Sequence, residues 1–519
     1  MAFYSHIIPA LGQFFVWPGP MWLFIGVLLG ILFGTLPGLG GPQVLALLTP
    51  LTFKMNPTAA IIMIIGAMSA IPLSGSLAAI LLNMPGHAPS VASSFDGYPL
   101  TKKGRGGYAV GASAMSAILA AIIGSIILTI ILPIGERVVL AFSFPEFFMM
   151  ALAGLSMIAI ISRKGAIWKG IITVVLGLMI TFIGNDPVTG SSRFTFGNLY
   201  LYKGIDIVPA LIGLFAVGEA ISMMVSGGKL AESSKGETHL SGILDGMKSV
   251  FQNFGVFIRG NLIGTFMGMI PGVGGAITTI VAYGQTVRSS KHPERFGKGE
   301  ISGVIAPESA NNSKDASGFI PTLLFGIPSH VEMAVLLGTL TILGIQPGPR
   351  LMQENPNEIL MIIYALVAGN VVTAAIILLA GGYMTKLALV SKKLMAPIIF
   401  ALSIVGAYAL NTEMGDVYVA VIFGVLGFVM DQFGFPKINL VIPLMVGSLM
   451  ETSFDQTVVS MGVKGFLTRP ISIALFIIVL LILFTAFRPN KKQKVEGCNQ
   501  DTTVLGGTDH ESESSNIPR

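Results

Sequence analysis

The stretch GVLLGILFGTLPGLGG at residues 26–41 recurs, without a gap, as GNLIGTFMGMIPGVGG at residues 260–275. Eight of the sixteen positions are identical, which is more than a glycine-rich composition alone would give. Gly26, Gly30 and Gly34 stand at the four-residue spacing typical of close helix packing. Each copy then ends in Pro-Gly-x-Gly-Gly, and a proline with three glycines in five residues cannot continue a regular helix. The sequence therefore predicts one broken helix in each half of the chain.

The composition is that of a membrane protein. Of the 519 residues, 53% are hydrophobic and only 11% are charged, whereas a soluble domain carries about 25% charged residues. Residues 21–95 contain a single charged side chain, Lys54, and residues 106–135 contain none. We predict an all-α polytopic membrane protein with about ten to twelve transmembrane helices, at roughly 20 residues per span, plus re-entrant or broken helices.

Two polar segments divide the chain. Residues 226–250 are rich in Gly, Ser and charges of both signs, and we interpret them as a connector between a first half, residues 1–225, and a second half, residues 251–487. We predict that the polar tail, residues 488–519, is disordered. The tail contains the only cysteine, Cys498, so the chain has no disulfide framework and no cysteine-based metal site.

Basic residues occur in short clusters between apolar stretches. The clusters are Lys102, Lys103 and Arg105; Arg163, Lys164 and Lys169; Lys386, Lys392 and Lys393; and Lys491, Lys492 and Lys494. Such clusters are typical of cytoplasmic loops, whereas a nucleic-acid-binding surface needs a continuous basic stripe. We therefore predict a lipid environment and no nucleic-acid partner.

A weaker second match follows each break. SGSLAAILLNMPGH at residues 74–87 faces SGFIPTLLFGIPSH at residues 317–330, and both begin with Ser-Gly and end in Pro-x-His. We interpret this match as a second short apolar hairpin arm in each half. Each half thus carries the same two motifs in the same order.

The breaks predict a binding site for an anion. Unwound backbone at membrane depth is tolerated only where protein buries it or where it lines a wet cavity. A helix that starts after each break, at residues 42–51 and 276–287, would point free N–H groups and the positive end of its dipole into that cavity. Such a helix end holds an anion without a buried Arg or Lys. Paired broken segments in two halves are typical of secondary transporters.

We select candidate substrate-binding residues from the breaks and from the polar side chains of the second arms. They are Gly38, Gly40, Gly41, Ser76, Asn83, Gly272, Gly274, Gly275, Asn311, Asn312 and Ser329. The carbonyl groups of Pro37 and Pro271 and the carboxylates of Glu308 and Asp315 are candidates for binding a coupling ion, Na⁺ or H⁺. An alternative for the two acidic residues is a structural pairing with Lys314.

Other classes of site find little support. His87 and His330 occupy matching positions, but no third ligand at metal spacing accompanies them, so we predict no metal site. There is no GxxxxGK[ST] loop for ATP and no nucleophile and base set at membrane depth. We therefore predict that the chain is not an enzyme, that it uses no cofactor, and that an ion gradient or another subunit supplies the energy.

Five motifs in order resemble the large membrane subunit of tripartite tricarboxylate transporters, the TctA family. They are GTLPGLGG at residues 34–41, SLAAILLNMPG at 76–86 with DGYPL at 96–100, GMIPGVGG at 268–275, APESANN at 306–312 and GIPS at 326–329. The resemblance covers roughly residues 21–487 and implies two inverted repeats in a multi-pass protein of the bacterial inner membrane. It also implies two partners, a small four-span membrane subunit and a periplasmic solute-binding protein, and uptake of carboxylates such as citrate with Na⁺ or H⁺.

Two other functions remain open at this point. An autonomous organic-anion carrier or exporter would need no binding protein. An anion channel would use the paired breaks as a filter and would give flux without saturation or ion coupling.

Overall fold

The computed structural model of the protein describes residues 2–36, 39–161, 167–186, 189–226, 242–271, 274–348, 350–384 and 392–487. Pro37, Gly38 and Gly272 lie outside the described residues, as do most of the predicted connector and the whole polar tail. The described part is almost entirely helical, and its strands β1 (Gly184–Asn185) and β2 (Ser192–Arg193) form a short antiparallel pair. The predicted all-α class is therefore confirmed.

The helices of the first half are α1 (Ala2–Ser5), α2 (Ile7–Phe14), α3 (Gly19–Gly34), α4 (Gly41–Leu48), α5 (Pro57–Leu82), α6 (Val91–Lys102), α7 (Gly106–Leu140), α8 (Phe144–Ile161), α9 (Ile167–Thr181), α10 (Ile207–Leu211) and α11 (Gly218–Ser226). A π-helical turn, Ile212–Val217, joins α10 to α11. Short 3-10 turns lie at Thr49–Thr52, Ala88–Ser90 and Leu199–Lys203.

The helices of the second half are α12 (Ile243–Gln252), α13 (Phe254–Gly268), α14 (Gly275–Ser289), α15 (Ser302–Phe325), α16 (Val331–Ile342), α17 (Leu351–Glu354), α18 (Pro356–Met384), α19 (Lys392–Asn411), α20 (Met414–Gln432), α21 (Ile438–Met461) and α22 (Pro470–Phe487). Short 3-10 turns lie at Pro293–Arg295 and Val463–Leu467.

Several helices are long and apolar enough to cross a membrane. Within the described residues six segments pass this test: Pro57–Leu82, Gly106–Arg137, Ile207–Ser226, Pro356–Gly381, Lys393–Asn411 and Met414–Gln432. The pair α2 and α3, bent by 72°, adds a seventh, and four shorter apolar helices lie at Phe144–Ser156, Trp168–Thr181, Val331–Ile342 and Pro470–Phe484. The chain is a multi-pass membrane protein, and the predicted count is reached only when the shorter helices are included.

The glycines ahead of each break allow close helix packing, as predicted. A Cβ atom on Gly26, Gly30 or Gly34 of α3 would overlap α5, and Gly34 would meet the Ser74 hydroxyl. The corresponding residues of α13, among them Gly268, would overlap α15, where Gly268 would meet the Ser317 hydroxyl. Successive glycines along α3 contact successively later residues of α5, and the same holds for α13 and α15. Helix α3 is therefore parallel to α5, and α13 is parallel to α15.

The prediction of short second arms is wrong. The segment 74–87 begins inside α5, which continues through Pro72, and the segment 317–330 begins inside α15, which contains Pro307 and Pro321. Both helices are buried along almost their whole length. Because protein rather than lipid surrounds them, neighbouring helices can accommodate the prolines and polar side chains that ended the predicted apolar stretches.

The pairs α3–α5 and α13–α15 run in opposite directions through the bundle. Lys103 Nζ donates a hydrogen bond of 2.6 Å to the carbonyl oxygen of Lys298, so the loops before α7 and α15 lie at one end. We call this end the basic end. A Cβ atom on Gly106, at the start of α7, would lie 2.9 Å from Leu81 Cδ2, near the end of α5. Thus α5 ends where α15 begins.

Each broken segment is a hairpin that returns to the end from which it entered. Helix α4 leads directly to the start of α5, and α14 leads to the start of α15. Arg259 in α13 donates a hydrogen bond of 2.8 Å to the Ser289 hydroxyl at the end of α14, which joins the two arms of the second hairpin at the basic end. The hairpins α3–α4 and α13–α14 therefore enter the bundle from opposite ends and meet inside it.

Candidate functional site

The two hairpin tips line one cavity of about 500 Å³. Gly40 and Gly41 contribute from the start of α4, and Gly274 and Gly275 contribute from the start of α14. The predicted helix starts are confirmed to within one residue, because α4 begins at Gly41 and α14 at Gly275. Gly274 has a φ of +40°, a left-handed conformation that favours glycine. The sequence therefore places a helix N-terminus at each of two facing walls of the cavity.

The segments that follow α5 and α15 complete the wall. Residues Pro85–Pro89 follow α5, and His330–Glu332 follow α15. His87 Nδ1 lies 2.7 Å from the Ser90 hydroxyl, and His330 Nδ1 lies 2.8 Å from the Ser329 hydroxyl. Each imidazole packs on a glycine twelve residues earlier, Gly75 or Gly318, where a Cβ atom would collide with the ring. The two histidines thus occupy equivalent positions in the two halves.

A buried charge cluster lies against the cavity. A second, smaller cavity shares His87 and Glu332 with the first and is also lined by Lys314 and Asp315. Lys314 Nζ lies 2.5 Å from Asp315 Oδ1. His330 Nε2 lies 3.2 Å from the same carboxylate oxygen and 3.7 Å from Glu332 Oε2. Charges this deep are rare in membrane proteins and are usually functional.

Charged side chains of opposite sign lie at the two helix N-termini. A Cβ atom on Gly41 would lie 2.5 Å from Glu332 Cγ and 2.8 Å from Glu332 Oε1, so a carboxylate already sits at the start of α4. A Cβ atom on Gly275 would lie 3.1 Å from Lys314 Nζ, so an ammonium sits at the start of α14. The two ends of the cavity are therefore not equivalent toward an anion.

Other predicted site residues lie near the cavity but are not all in its wall. Asn311 Nδ2 lies 3.4 Å from His87 Nε2, behind the imidazole. Asn312 donates a hydrogen bond of 2.9 Å to the Glu308 carbonyl of its own helix. Ser76 lies 3.0 Å from the Ser90 hydroxyl that also contacts His87. Pro271 is not among the residues that line the cavity.

Asn83 is not brought to the cavity. The residue is exposed and caps the end of α5 in a left-handed conformation with a φ of 57°. Asparagine favours this position because its short polar side chain tolerates the left-handed region. Gly326, at the matching position of the second arm, caps α15 with a φ of 67°, so the alignment of Asn83 with a glycine was the available signal for this turn.

Glu308 lies in a buried cluster of serines and does not line the cavity. The Ser93 hydroxyl donates to Glu308 Oε1, and the hydroxyls of Ser76 and Ser113 face the same carboxyl group. Glu308 Oε2 has no hydrogen-bond partner within the described residues. The two candidate ion-binding carboxylates, Glu308 and Asp315, thus have different surroundings, and only Asp315 adjoins the cavity.

Sequence reasoning missed several charged residues of the site. The sequence did not point to Glu332, and it suggested Lys314 only as a structural partner of Glu308 and Asp315. The cavity is also lined by Glu219 and by the ion pair between Lys437 Nζ and Asp431 Oδ2, which are 2.6 Å apart. Glu219 follows the π-helical turn Ile212–Val217, a distortion that is common at functional sites. An acidic residue two positions after the second matching histidine was the one available signal for Glu332.

Two curated proteins resemble the chain in sequence. A protein of Agrobacterium vitis, "Uncharacterized 52.8 kDa protein in TAR-I ttuC' 3'region", is 33% identical over 479 residues, which are 91% of this chain and 94% of the relative. "Uncharacterized protein in TAR-II ttuC' 3'region", also from Agrobacterium vitis, is 31% identical over 233 residues, which are 44% of this chain and 96% of that relative. No solved structure matches the chain.

The family comparison covers both hairpins and the cavity. Residues 21–442 match the profile described as "Tripartite tricarboxylate transporter TctA family". This match includes both broken helices, both histidine-bearing segments and the charge cluster of α15 and α16. The chain belongs to the TctA family of tripartite tricarboxylate transporters.

Proposed function

We propose that the chain takes up a carboxylate, a tri- or dicarboxylate similar to citrate, across the bacterial inner membrane and that a Na⁺ or H⁺ gradient drives this uptake. In this proposal the chain is the large subunit of a transporter that also has a small four-span membrane subunit. A periplasmic solute-binding protein delivers the substrate. The family supports a tripartite tricarboxylate transporter component, and the single observation that carries the mechanism is the pair of opposed hairpins at one cavity.

The geometry suits a carrier that alternates access. One hairpin enters from the basic end and the other from the opposite end, so each tip separates the cavity from one side of the membrane. Movement of one hairpin at a time would expose the substrate to one side while the other tip stays closed. Because basic loops lie on the cytoplasmic side, the α13–α14 hairpin would face the cytoplasm and the α3–α4 hairpin the periplasm.

Uptake of radiolabelled citrate by cells that express the chain with both partners tests this function. We expect saturable uptake that is lost when an ionophore collapses the driving gradient. Separate omission of the binding protein and of the small subunit tests their roles, and we expect each omission to abolish uptake. Saturable uptake by the chain alone would support an autonomous carrier, and flux without saturation or ion dependence would support a channel.

A further inference from the structure

Lys314 belongs to α15, but its buried ammonium lies at the N-terminus of α14. Both the ammonium and the helix N-terminus favour an anion. The residue is 3% exposed, and its ammonium lies beside Gly275, the first residue of the 15-residue helix α14. The free N–H groups at this helix end carry a positive partial charge. A carboxylate at this point would accept hydrogen bonds from backbone N–H groups and from Lys314 Nζ.

The other helix end cannot serve an anion equally well. Glu332 already occupies the start of α4, where its carboxylate lies beside Gly41. A second carboxylate there would lie close to an ionised side chain of the same sign, which repels it. At the α14 end the charged atom beside Gly275 is the Lys314 ammonium, which is paired with Asp315. Glu332 lines the same small cavity as this pair.

Asp315 has a second partner available. Its Oδ1 atom lies 2.5 Å from Lys314 Nζ and 3.2 Å from His330 Nε2. His330 is 2% exposed, and its Nε2 atom makes no hydrogen bond within the described residues. Its Nδ1 atom lies 2.8 Å from the Ser329 hydroxyl, so a neutral ring that accepts this hydroxyl's hydrogen bond carries its N–H on Nε2, toward Asp315.

We infer that Lys314 binds the carboxylate group of the transported substrate at the α14 N-terminus, and that Asp315 is the counter-ion which the substrate replaces. In the empty site Lys314 is paired with Asp315. When the substrate binds, its carboxylate pairs with the ammonium, and Asp315 accepts a hydrogen bond from the His330 Nε2–H, which lies 3.2 Å away. Only non-covalent contacts change in this exchange: the substrate carboxylate gains the Lys314 ammonium, and the Asp315 carboxylate exchanges an ion pair for a hydrogen bond.

This inference rests on the proposed function, and it names the residue that selects an anionic substrate. Charged groups from every neighbouring segment face the exchange: Lys314 and Asp315 in α15, His330 and Glu332 around the start of α16, and His87 after α5. Three further charged residues, Glu219, Asp431 and Lys437, line the larger cavity.

The test compares single and double neutral variants in citrate uptake by the complete transporter. We expect Lys314→Gln to lower uptake by roughly 100-fold or more, as for the loss of one member of a buried charged pair. We expect Lys314→Gln/Asp315→Asn to stay equally inactive, because the substrate still lacks its cation. Asp315→Asn should keep measurable uptake with a lower KM, because Lys314 is then free for the substrate.

If the ion pair between Lys314 and Asp315 only stabilises the fold, we expect the reverse pattern. The double variant would regain uptake, because neither partner is left as an unpaired buried charge, and Asp315→Asn would be as inactive as Lys314→Gln. Either result would overturn the inference. If the Lys314 variants fail to reach the membrane, the KM of Asp315→Asn decides alone.

The exposed ion pair between Lys203 Nζ and Glu413 Oε2, 2.7 Å apart, provides a matched control. Lys203→Gln/Glu413→Gln should take up citrate like the wild type, and loss of uptake in this control would show that the assay reports surface charge rather than the site. Absence of uptake by the wild type for every di- and tricarboxylate tested would overturn the proposed function, and the inference with it. Failure of the inference alone appears as an active wild type together with an active double variant or an inactive Asp315→Asn.

Discussion

The Glu332 carboxylate covers Gly41, the first residue of α4, so closely that a Cβ atom on Gly41 would lie 2.5 Å from Glu332 Cγ. This contact joins two segments that lie almost 300 positions apart in the chain. It places a fixed negative charge at one of the two helix ends that face the cavity. The two hairpin tips are similar in sequence, but one has a carboxylate beside it and the other an ammonium.

Neutralising this charge should favour an anion. In Glu332→Gln we expect the KM for citrate to fall by roughly 5- to 10-fold, about 1 to 1.4 kcal/mol, because one repulsive charge is removed from the cavity. Initial rates of uptake over a range of citrate concentrations measure this change. An unchanged KM, or a higher one, would mean that Glu332 does not face the substrate.

Adding a single methyl group at the start of α14 should block the site. In Gly275→Ala the new Cβ atom would lie 2.6 Å from Pro89 Cγ and 3.1 Å from Lys314 Nζ, so the hairpin tip must move. We expect loss of uptake with normal membrane insertion, and the larger Gly275→Val should behave in the same way. Uptake and the amount of protein in the membrane are measured together.

Gly284 offers a matched control in the same helix. A Cβ atom on Gly284 would meet nothing within 4 Å, so Gly284→Ala should keep uptake near the wild-type rate. Equal loss of uptake in Gly284→Ala and Gly275→Ala would point to a general effect on α14 rather than to the cavity.

The adjacent asparagines of α15 should differ in importance. Asn311 lies against the His87 imidazole, whereas Asn312 bonds a carbonyl of its own helix. We expect Asn311→Ala to lower uptake by about tenfold, the effect of roughly 1.4 kcal/mol from one lost buried hydrogen bond, and Asn312→Ala to change uptake less. The ratio of the two rates is the measurement, and a larger loss in Asn312→Ala would contradict this placement of the side chains.

The direction of the hairpins can be tested from outside the cell. Lys298 lies at the basic end, and Glu354 lies at the opposite end, next to Gln353, which donates a 2.9 Å hydrogen bond to Glu136 near the end of α7. In a background with Cys498→Ser, we expect a membrane-impermeant maleimide to label Glu354→Cys in intact cells and Lys298→Cys only after the cells are opened. The opposite pattern would reverse the assigned orientation.

The sequence indicated the elements of this fold whose signal is local. A proline and three glycines end a helix wherever they stand, so the starts of α4 and α14 at Gly41 and Gly275 could be predicted within one residue. The four-residue spacing of Gly26, Gly30 and Gly34 likewise predicted close packing, because the spacing itself defines one helix face.

Features that depend on tertiary surroundings could not be read in the same way. Helix α15 contains Glu308, Lys314 and Asp315. Because these residues are charged, the sequence did not predict a helix that is buried in protein. The pairing of Glu332 with Gly41 and of Lys314 with Gly275 arises only when the two hairpins meet, and the local pattern around each residue carries no trace of it. The two motifs looked alike in sequence, so their opposite charges were not foreseen.

The most direct test of the central claim is a cryo-electron microscopy map of the whole transporter with a carboxylate that the wild type takes up, such as citrate. We predict density for the substrate in the cavity between the two hairpin tips, with one carboxylate in hydrogen-bond contact with the backbone N–H groups at Gly275 and with Lys314 Nζ. Density for the substrate at any place that neither hairpin tip contacts would contradict the account.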